Sequence, residues 1–196
     1  MAEKYEGIKF STRFMGGKKD VGYRLIKEMI NSGRLLKKNN LTPGTTGNIS
    51  VQASGGLYIK AAGKSLGELT QKDIVYVSDY IQAENKALVW DNKKPSSETP
   101  THWLIYRRFP KVKAVVHAHD RVLLDNTNLV EKNKIKTTKQ KTSYGTLKQA
   151  EQVVEALSYS NYVFIIEHGS ITVGSSIRKA TDLMIKVHNK ILKDES

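Results

Sequence analysis

Two hydrophobic periods alternate along this chain. From about Lys18 to Lys38 apolar residues recur at helical spacing, at Val21, Leu25, Ile26, Met29, Ile30 and, past Gly33, Leu35, which is the signature of a helix with one apolar face. Asp20 near its start and lysines near its end suit the helix dipole. Ile49-Ser50-Val51 then alternates as a strand, and Ser54-Gly55-Gly56 turns a hairpin into Leu57-Tyr58-Ile59. Ile74–Val77 and Ala87–Trp90 form a further pair of runs. Lys94 to Pro100 opens a helix reaching about Phe109, with serines placed to satisfy its free N–H groups. A strand through Ala114–Val116 follows, then a helix from Leu147 to about Ser158 and a strand over Tyr162–Ile166. Ile171-Thr172-Val173 pairs back across Gly169, and Ser175 or Ser176 caps a closing helix, Ile177 to Leu192. Hairpins interrupted by helices predict a mixed or mostly antiparallel sheet covered by helices.

Composition narrows the class. At 196 residues with no repeat or linker, one domain spanning 1–196 is expected. There is no cysteine, so any metal site must draw on His, Asp or Glu. No apolar stretch approaches a membrane span and no signal-like N-terminus is present, so a cytoplasmic location is expected. The net charge of +13 raises nucleic acid as a partner. Its densest patch, Lys132 to Lys141, has no interleaved aromatics on which bases would stack. A solvated loop, or a field steering a small phosphorylated substrate, accounts for it better.

The chemistry concentrates in a few places. His117 and His119 end the Ala114–Val116 run, and alternation along a strand projects positions i and i+2 from one face. Alone, such a pair is as well explained as polar residues ending a strand. His168, after the second apolar run, offers a third imidazole, and three imidazoles with one open position describe a catalytic zinc site. Two loops suit an anion: Gly44-Thr45-Thr46-Gly47-Asn48, rich in unobstructed N–H groups, and Ser96-Ser97 at a helix start. Glu98, in the first turn of that helix, is either a dipole-complementing surface residue or, beside a metal, a general base. His102 is expected behind the ligands or as a structural residue, and His188 as a partly buried helix residue.

Taken in order, Gly44-Thr45-Thr46-Gly47-Asn48-Ile49-Ser50, Lys60-Ala61-Ala62-Gly63, Lys94-Pro95-Ser96-Ser97-Glu98-Thr99-Pro100-Thr101-His102, His117-Ala118-His119, Tyr144-Gly145-Thr146 and His168-Gly169 resemble the class II aldolase/adducin family. The resemblance implies a three-layer α/β/α fold with a central, largely antiparallel sheet. It also implies one zinc ion per subunit on His117, His119 and His168, and a homotetramer with active sites between subunits. By position, Glu98 resembles the acid/base carboxylate, and Gly47, Asn48, Gly63, Ser96 and Ser97 the phosphate cradle. The implied activity is aldol cleavage or formation of a phosphorylated ketose, from dihydroxyacetone phosphate and an aldehyde, through a metal-stabilised enediolate. The same site would serve a pentulose-phosphate 4-epimerase or a sugar-phosphate dehydratase, and a non-catalytic adducin-like scaffold is the distant alternative.

The chain departs from the family pattern at informative places. Ala62 removes a hydroxyl expected on the phosphate, whereas Lys60 matches the epimerase type and is counted with the cradle. Lys141 stands where aldolases carry a tyrosine donor and epimerases an aspartate. The chain ends at Ser196, without the tail that carries another tyrosine in some members.

Overall fold

Side-chain alternation along the strands sorts the core into two layers. In a computed structural model, which describes residues 7–19 and 22–195, Ile49 and Val51 of β2 (Asn48–Ala53) and Val116 of β6 (Ala114–Ala118) point to one face. There they meet Ile26, Met29 and Leu36 of α1 (Tyr23–Lys38) and Ile177, Met184 and Ile191 of α6 (Ile177–Glu195). On the other face Leu57 and Ile59 of β3 (Gly56–Lys60) and Val115 of β6 pack with Ile105 of α2 (Thr99–Arg108) and Val153 of α5 (Leu147–Leu157). Helices therefore cover both faces, giving the expected three-layer arrangement.

The sheet runs β1-β5-β4-β3-β2-β6-β9-β8-β7, where β1 is Ser11–Phe14, β4 Ile74–Ile81, β5 Lys86–Trp90, β7 Lys136–Thr137, β8 Tyr162–Ile165 and β9 Gly169–Gly174. Only the two outermost pairings among the described residues, β1 with β5 and β7 with β8, are parallel. The rest are antiparallel, as expected. The hairpins at residues 54–56 and across Gly169 form as read, and Ser176 Oγ accepts from Lys179 N–H at the closing helix.

Several local expectations need correction. The first helix begins at Tyr23 with no acidic residue in its first turn; Asp20 and Val21 lie outside the described residues. The helix expected from Lys94 begins at Thr99, because residues 94–96 are tied to the end of β3 and the two residues after it instead: Ala62 N–H donates to Lys94 O and Ser96 N–H to Lys60 O, both at 3.0 Å. The serines therefore precede the helix, and Glu98 is its N-cap residue, not a first-turn residue. β1, β7 and the short helices α3 (Arg121–Asp125) and α4 (Asn128–Lys132) are additional elements. Each is five residues or fewer, too short for a period to declare itself. The lysines between Lys132 and Lys141 are all exposed, although β7 lies among them.

Gly33 shows how tightly the first layer closes. A Cβ there would lie 2.2 Å from the carbonyl oxygen of Leu66. Alanine would gain about 1 kcal/mol of helix propensity, against about 1–3 kcal/mol for forcing atoms into a packed contact. Gly33→Ala is therefore expected to lower unfolding free energy in urea by about 1 kcal/mol; a gain would mean that the Leu66 segment yields freely.

Candidate metal centre and anion pocket

The polar chemistry gathers where β6 ends. His117 lies in register with Asn48 of β2 and Ile171 of β9, so its side chain rises from the face covered by α2. His119 follows just past the strand, its N–H donating to Leu41 O at 2.8 Å. His168 comes from the turn between β8 and β9, closed by its own N–H on Ile165 O at 3.0 Å, with Glu167 at a φ of 57°. The imidazole centroids lie 4.8 Å apart for His117–His119 and 4.9 Å for each of the other two pairs. One nitrogen from each ring lies within 4.8 Å of the others. The His-x-His pair does face one way, and the third ring completes a triangle.

The close approach of the next strand makes this possible. At Gly169 a Cβ would lie 2.4 Å from Ala118 O and 3.0 Å from His117 Cε1. Only a residue without a side chain lets β9 run this near the His117 ring.

Glu98 stands over the triangle. An N-cap carboxylate ordinarily accepts from its own helix, but this one makes no such bond. Its Oε1 accepts from His168 Nε2 at 2.8 Å and its Oε2 from Asn48 Nδ2 at 2.6 Å. Burial alone would raise this carboxyl, yet the imidazoles of His117 and His168 and the bond from His168 outweigh it and hold it well below the usual range. Glu98 is 5% exposed and charged. Burial conversely lowers His117 to about 4 and His119 to about 2, keeping both rings neutral with lone pairs to offer.

These residues fit a metal. His117 Nδ1 donates to Ser170 O at 3.0 Å, so its neutral Nε2 is an acceptor. That buried Nε2 has no hydrogen-bond partner, although Glu98 Oε2, another acceptor, sits 3.0 Å away. Two lone pairs facing one another inside a protein need a cation between or beside them. A set of imidazoles and carboxylate without thiolate suits zinc or a similar first-row ion.

A cavity of about 240 Å³ opens beside the triangle, lined by all six predicted anion-binding residues, Gly47, Asn48, Lys60, Gly63, Ser96 and Ser97, and by Glu98, His119 and His168. His117, 1% exposed, lies beneath it. Lys60 is buried in the wall, its ammonium donating to Thr45 O and Lys64 O at 2.7 Å each. Burial lowers it to about 8, against the pull of Glu98.

Other placements answer the remaining expectations. His102 is fully buried, its Nδ1 2.6 Å from Ser50 Oγ, which in turn lies 2.7 Å from Tyr106 Oη. It braces α2 against β2 and is not part of the triangle. His188 is buried, its Nδ1 donating to Asp120 Oδ2 at 2.9 Å. Lys141 pairs with Glu167 and is exposed. Sequence reading gave no role to Arg121, Tyr144 or Glu167, which also line the cavity. Tyr144 opens the Tyr-Gly-Thr motif and Glu167 precedes His168, whereas nothing local marks Arg121. Tyr144 lies parallel to the His168 ring, centroids 6.1 Å apart, and its hydroxyl donates to Gly7 O.

Comparison with known proteins identifies what the whole chain is similar to. The model of the family described as Class II Aldolase and Adducin N-terminal domain matches residues 27–191. L-fuculose phosphate aldolase of Methanococcus maripaludis is 31% identical over 166 residues, covering 79% of this chain and 87% of that protein. Methylthioribulose-1-phosphate dehydratase of Methylococcus capsulatus is 38% identical over 93 residues, 47% of this chain and 43% of that protein. Among solved structures, L-fuculose-1-phosphate aldolase from Thermus thermophilus superposes with a TM-score of 0.70 at 25% identity, covering 86% of this chain and 91% of that one. No helix among the described residues is long and apolar enough to cross a membrane.

Gly169→Ala should push the His117 ring out of the triangle and weaken binding of zinc or cobalt about 10–100-fold, measured by chelator competition with circular dichroism unchanged. An unaltered affinity would show that the close approach of β9 is dispensable.

Proposed function

The chain belongs to the class II aldolase and adducin family, and from that premise we propose that it is a zinc-dependent aldolase of a phosphorylated ketose. The observation that carries the reading is the meeting of the His117, His119 and His168 triangle, the charged Glu98 and the anion loops around one cavity. The reading takes residues 1–196 as one domain, working in the cytoplasm as a homotetramer with active sites between subunits.

Zinc on the three histidines would supply Lewis acidity at the substrate carbonyl and stabilise the negative charge that develops beside it. The phosphate would be held by the N–H groups of the 44–47 loop, the Ser96 and Ser97 hydroxyls and Lys60. Two of the three ammonium donors of Lys60 hold the loop carbonyls, and the third remains for the anion. Glu98 would return a proton to the carbon left when the C–C bond breaks and remove it from that carbon in condensation. Its bonds from His168 and Asn48 fix where the carboxylate stands.

A second reading, 4-epimerase or dehydratase on the same site, is favoured by Lys60 in the cradle, whereas Lys141 matches neither the aldolase nor the epimerase pattern. Incubation with dihydroxyacetone phosphate and a panel of short aldehydes separates them. Joining of two carbon fragments supports the aldolase. Inversion of an intact pentulose phosphate alone, or loss of water alone, supports the alternative.

Glu98→Gln is expected to retain zinc while losing about 10²–10⁴-fold in turnover; unchanged turnover would remove Glu98 from the chemistry. Lys60 carries charge below about pH 8 and loses it above. Inorganic phosphate should therefore bind the zinc-loaded protein more weakly as pH rises through 8, and a Lys60→Met variant should lack that dependence.

A further inference from the structure

The segment ahead of β1 reaches the wall of the metal centre through Tyr144. This tyrosine is buried, and its ring lies nearly parallel to that of His168, at 11° with centroids 6.1 Å apart. The His168 ring is itself parallel to that of His117, at 3° and 4.9 Å, so Tyr144 adds an aromatic plane to two imidazole planes. Offset parallel rings at such separations attract one another, and a packed neighbour of this kind opposes rotation of the imidazole. Tyr144 is held in turn from outside its own loop. Its hydroxyl donates to Gly7 O at 3.0 Å, and the Lys9 ammonium lies 4.1 Å from the centre of its ring, within the range of a cation–π contact. The segment that supplies both contacts is anchored near the β1 end of the sheet. Asn85, in the turn between β4 and β5, donates from Nδ2 to Lys9 O at 2.8 Å and accepts from Ser11 N–H at 2.9 Å. Phe10 is buried and meets Tyr80 edge to face, centroids 5.9 Å apart. Residues 7–10 precede the region shared with the family, which begins at residue 27.

We infer that Tyr144 is a positioning residue for the His168 imidazole, and that residues 7–10 serve the metal centre by holding Tyr144 in place. The inference rests on the proposed reading of the three histidines as zinc ligands. His117 projects from inside the sheet, with its Nδ1 fixed on Ser170 O. His168 instead stands on the turn between β8 and β9, where no strand pairing holds the residue itself. Outer contacts orient metal-binding imidazoles, and a ring presented from a turn depends on them most. Tyr144 supplies such a contact as a flat wall, and its own tether to Gly7 spans 137 residues of sequence. Zinc affinity thereby becomes sensitive to a segment that touches none of the three histidine positions in sequence.

The experiment compares the full-length wild type with three variants whose folding is checked by circular dichroism. Tyr144→Phe keeps the ring and loses the bond to Gly7, and Tyr144→Leu loses the ring. The double variant Lys9→Met with Tyr144→Phe keeps the ring but releases it from both contacts with the segment. Zinc affinity is measured by chelator competition, alongside the absorption bands of the cobalt-loaded protein and crystal structures of the metal-free wild type, Tyr144→Leu and double variant. The expected result is a zinc affinity lowered about 10–100-fold in Tyr144→Leu and about 3–10-fold in the double variant. The cobalt bands should move, and the His168 ring should leave its wild-type plane in both crystals. A Tyr144 that served only the packing of its loop would lower the unfolding midpoint and leave the affinity and cobalt bands of the folded protein unchanged. Affinity within threefold of wild type in Tyr144→Leu, or an unmoved His168 ring, would overturn the positioning role. A double variant equal to wild type would overturn the part given to residues 7–10. If wild type binds neither zinc nor cobalt, the metal reading fails by itself, and the His168 plane in the metal-free crystals still decides what Tyr144 and the segment do.

Discussion

Everything at the functional end of this molecule is arranged around one buried negative charge. Glu98 is almost wholly removed from water, yet it is held ionised, and an unpaired buried carboxylate would cost far more than a domain's net stability allows. The protein satisfies it from two directions, with Asn48 from β2 and His168 from the β8–β9 turn, while the neutral His117 of β6 turns a lone pair towards it. Those groups come from distant parts of the sequence. The sheet order β2-β6-β9-β8 brings them together, and removing one partner of such a buried set commonly costs about 3–5 kcal/mol. The fold and the site are thus not separable: the same strand pairings that build the core also neutralise this carboxylate.

The neutral imidazoles are the complement of that charge. Burial keeps His117 and His119 unprotonated, which leaves those two rings with lone pairs beside the Glu98 anion. The backbone carbonyl of Ser170 fixes the His117 tautomer so that its free nitrogen points inward, the arrangement by which outer partners orient metal-binding histidines. Lys60 supplies positive charge a short way along the same cavity, where the anion loops lie. Opposite fields at the two ends suit a ligand with a phosphate at one end and a carbonyl at the other.

How much of this was legible in the sequence depended on the length scale of each signal. His117 and His119 were readable because strand alternation alone puts i and i+2 on one side, and the two faces of the sheet followed from the same period. The anion loops were readable because their glycines and serines are contiguous. Glu98 was ambiguous, since the boundary between loop and helix near Pro100 depends on pairing of residues 94–96 with β3, a tertiary effect invisible to local propensity. That is also why the serines precede the helix. The pairing of His188 with Asp120, 68 residues apart, and the entry of Arg121 into the cavity left no local trace. Asn48 was legible as part of the anion loop and does line the cavity, but its bond to Glu98, 50 residues away across the sheet, left no local trace.

The central claim is that His117, His119 and His168 act as one metal-binding unit under Glu98. X-ray absorption spectroscopy on the zinc-loaded protein addresses it most directly. The account predicts one zinc per chain with imidazole scattering from three nitrogens at about 2.0–2.1 Å, falling to two when any one of the three histidines is replaced by alanine. Zinc that fails to bind, or a wild-type spectrum with no more than one imidazole, would contradict it.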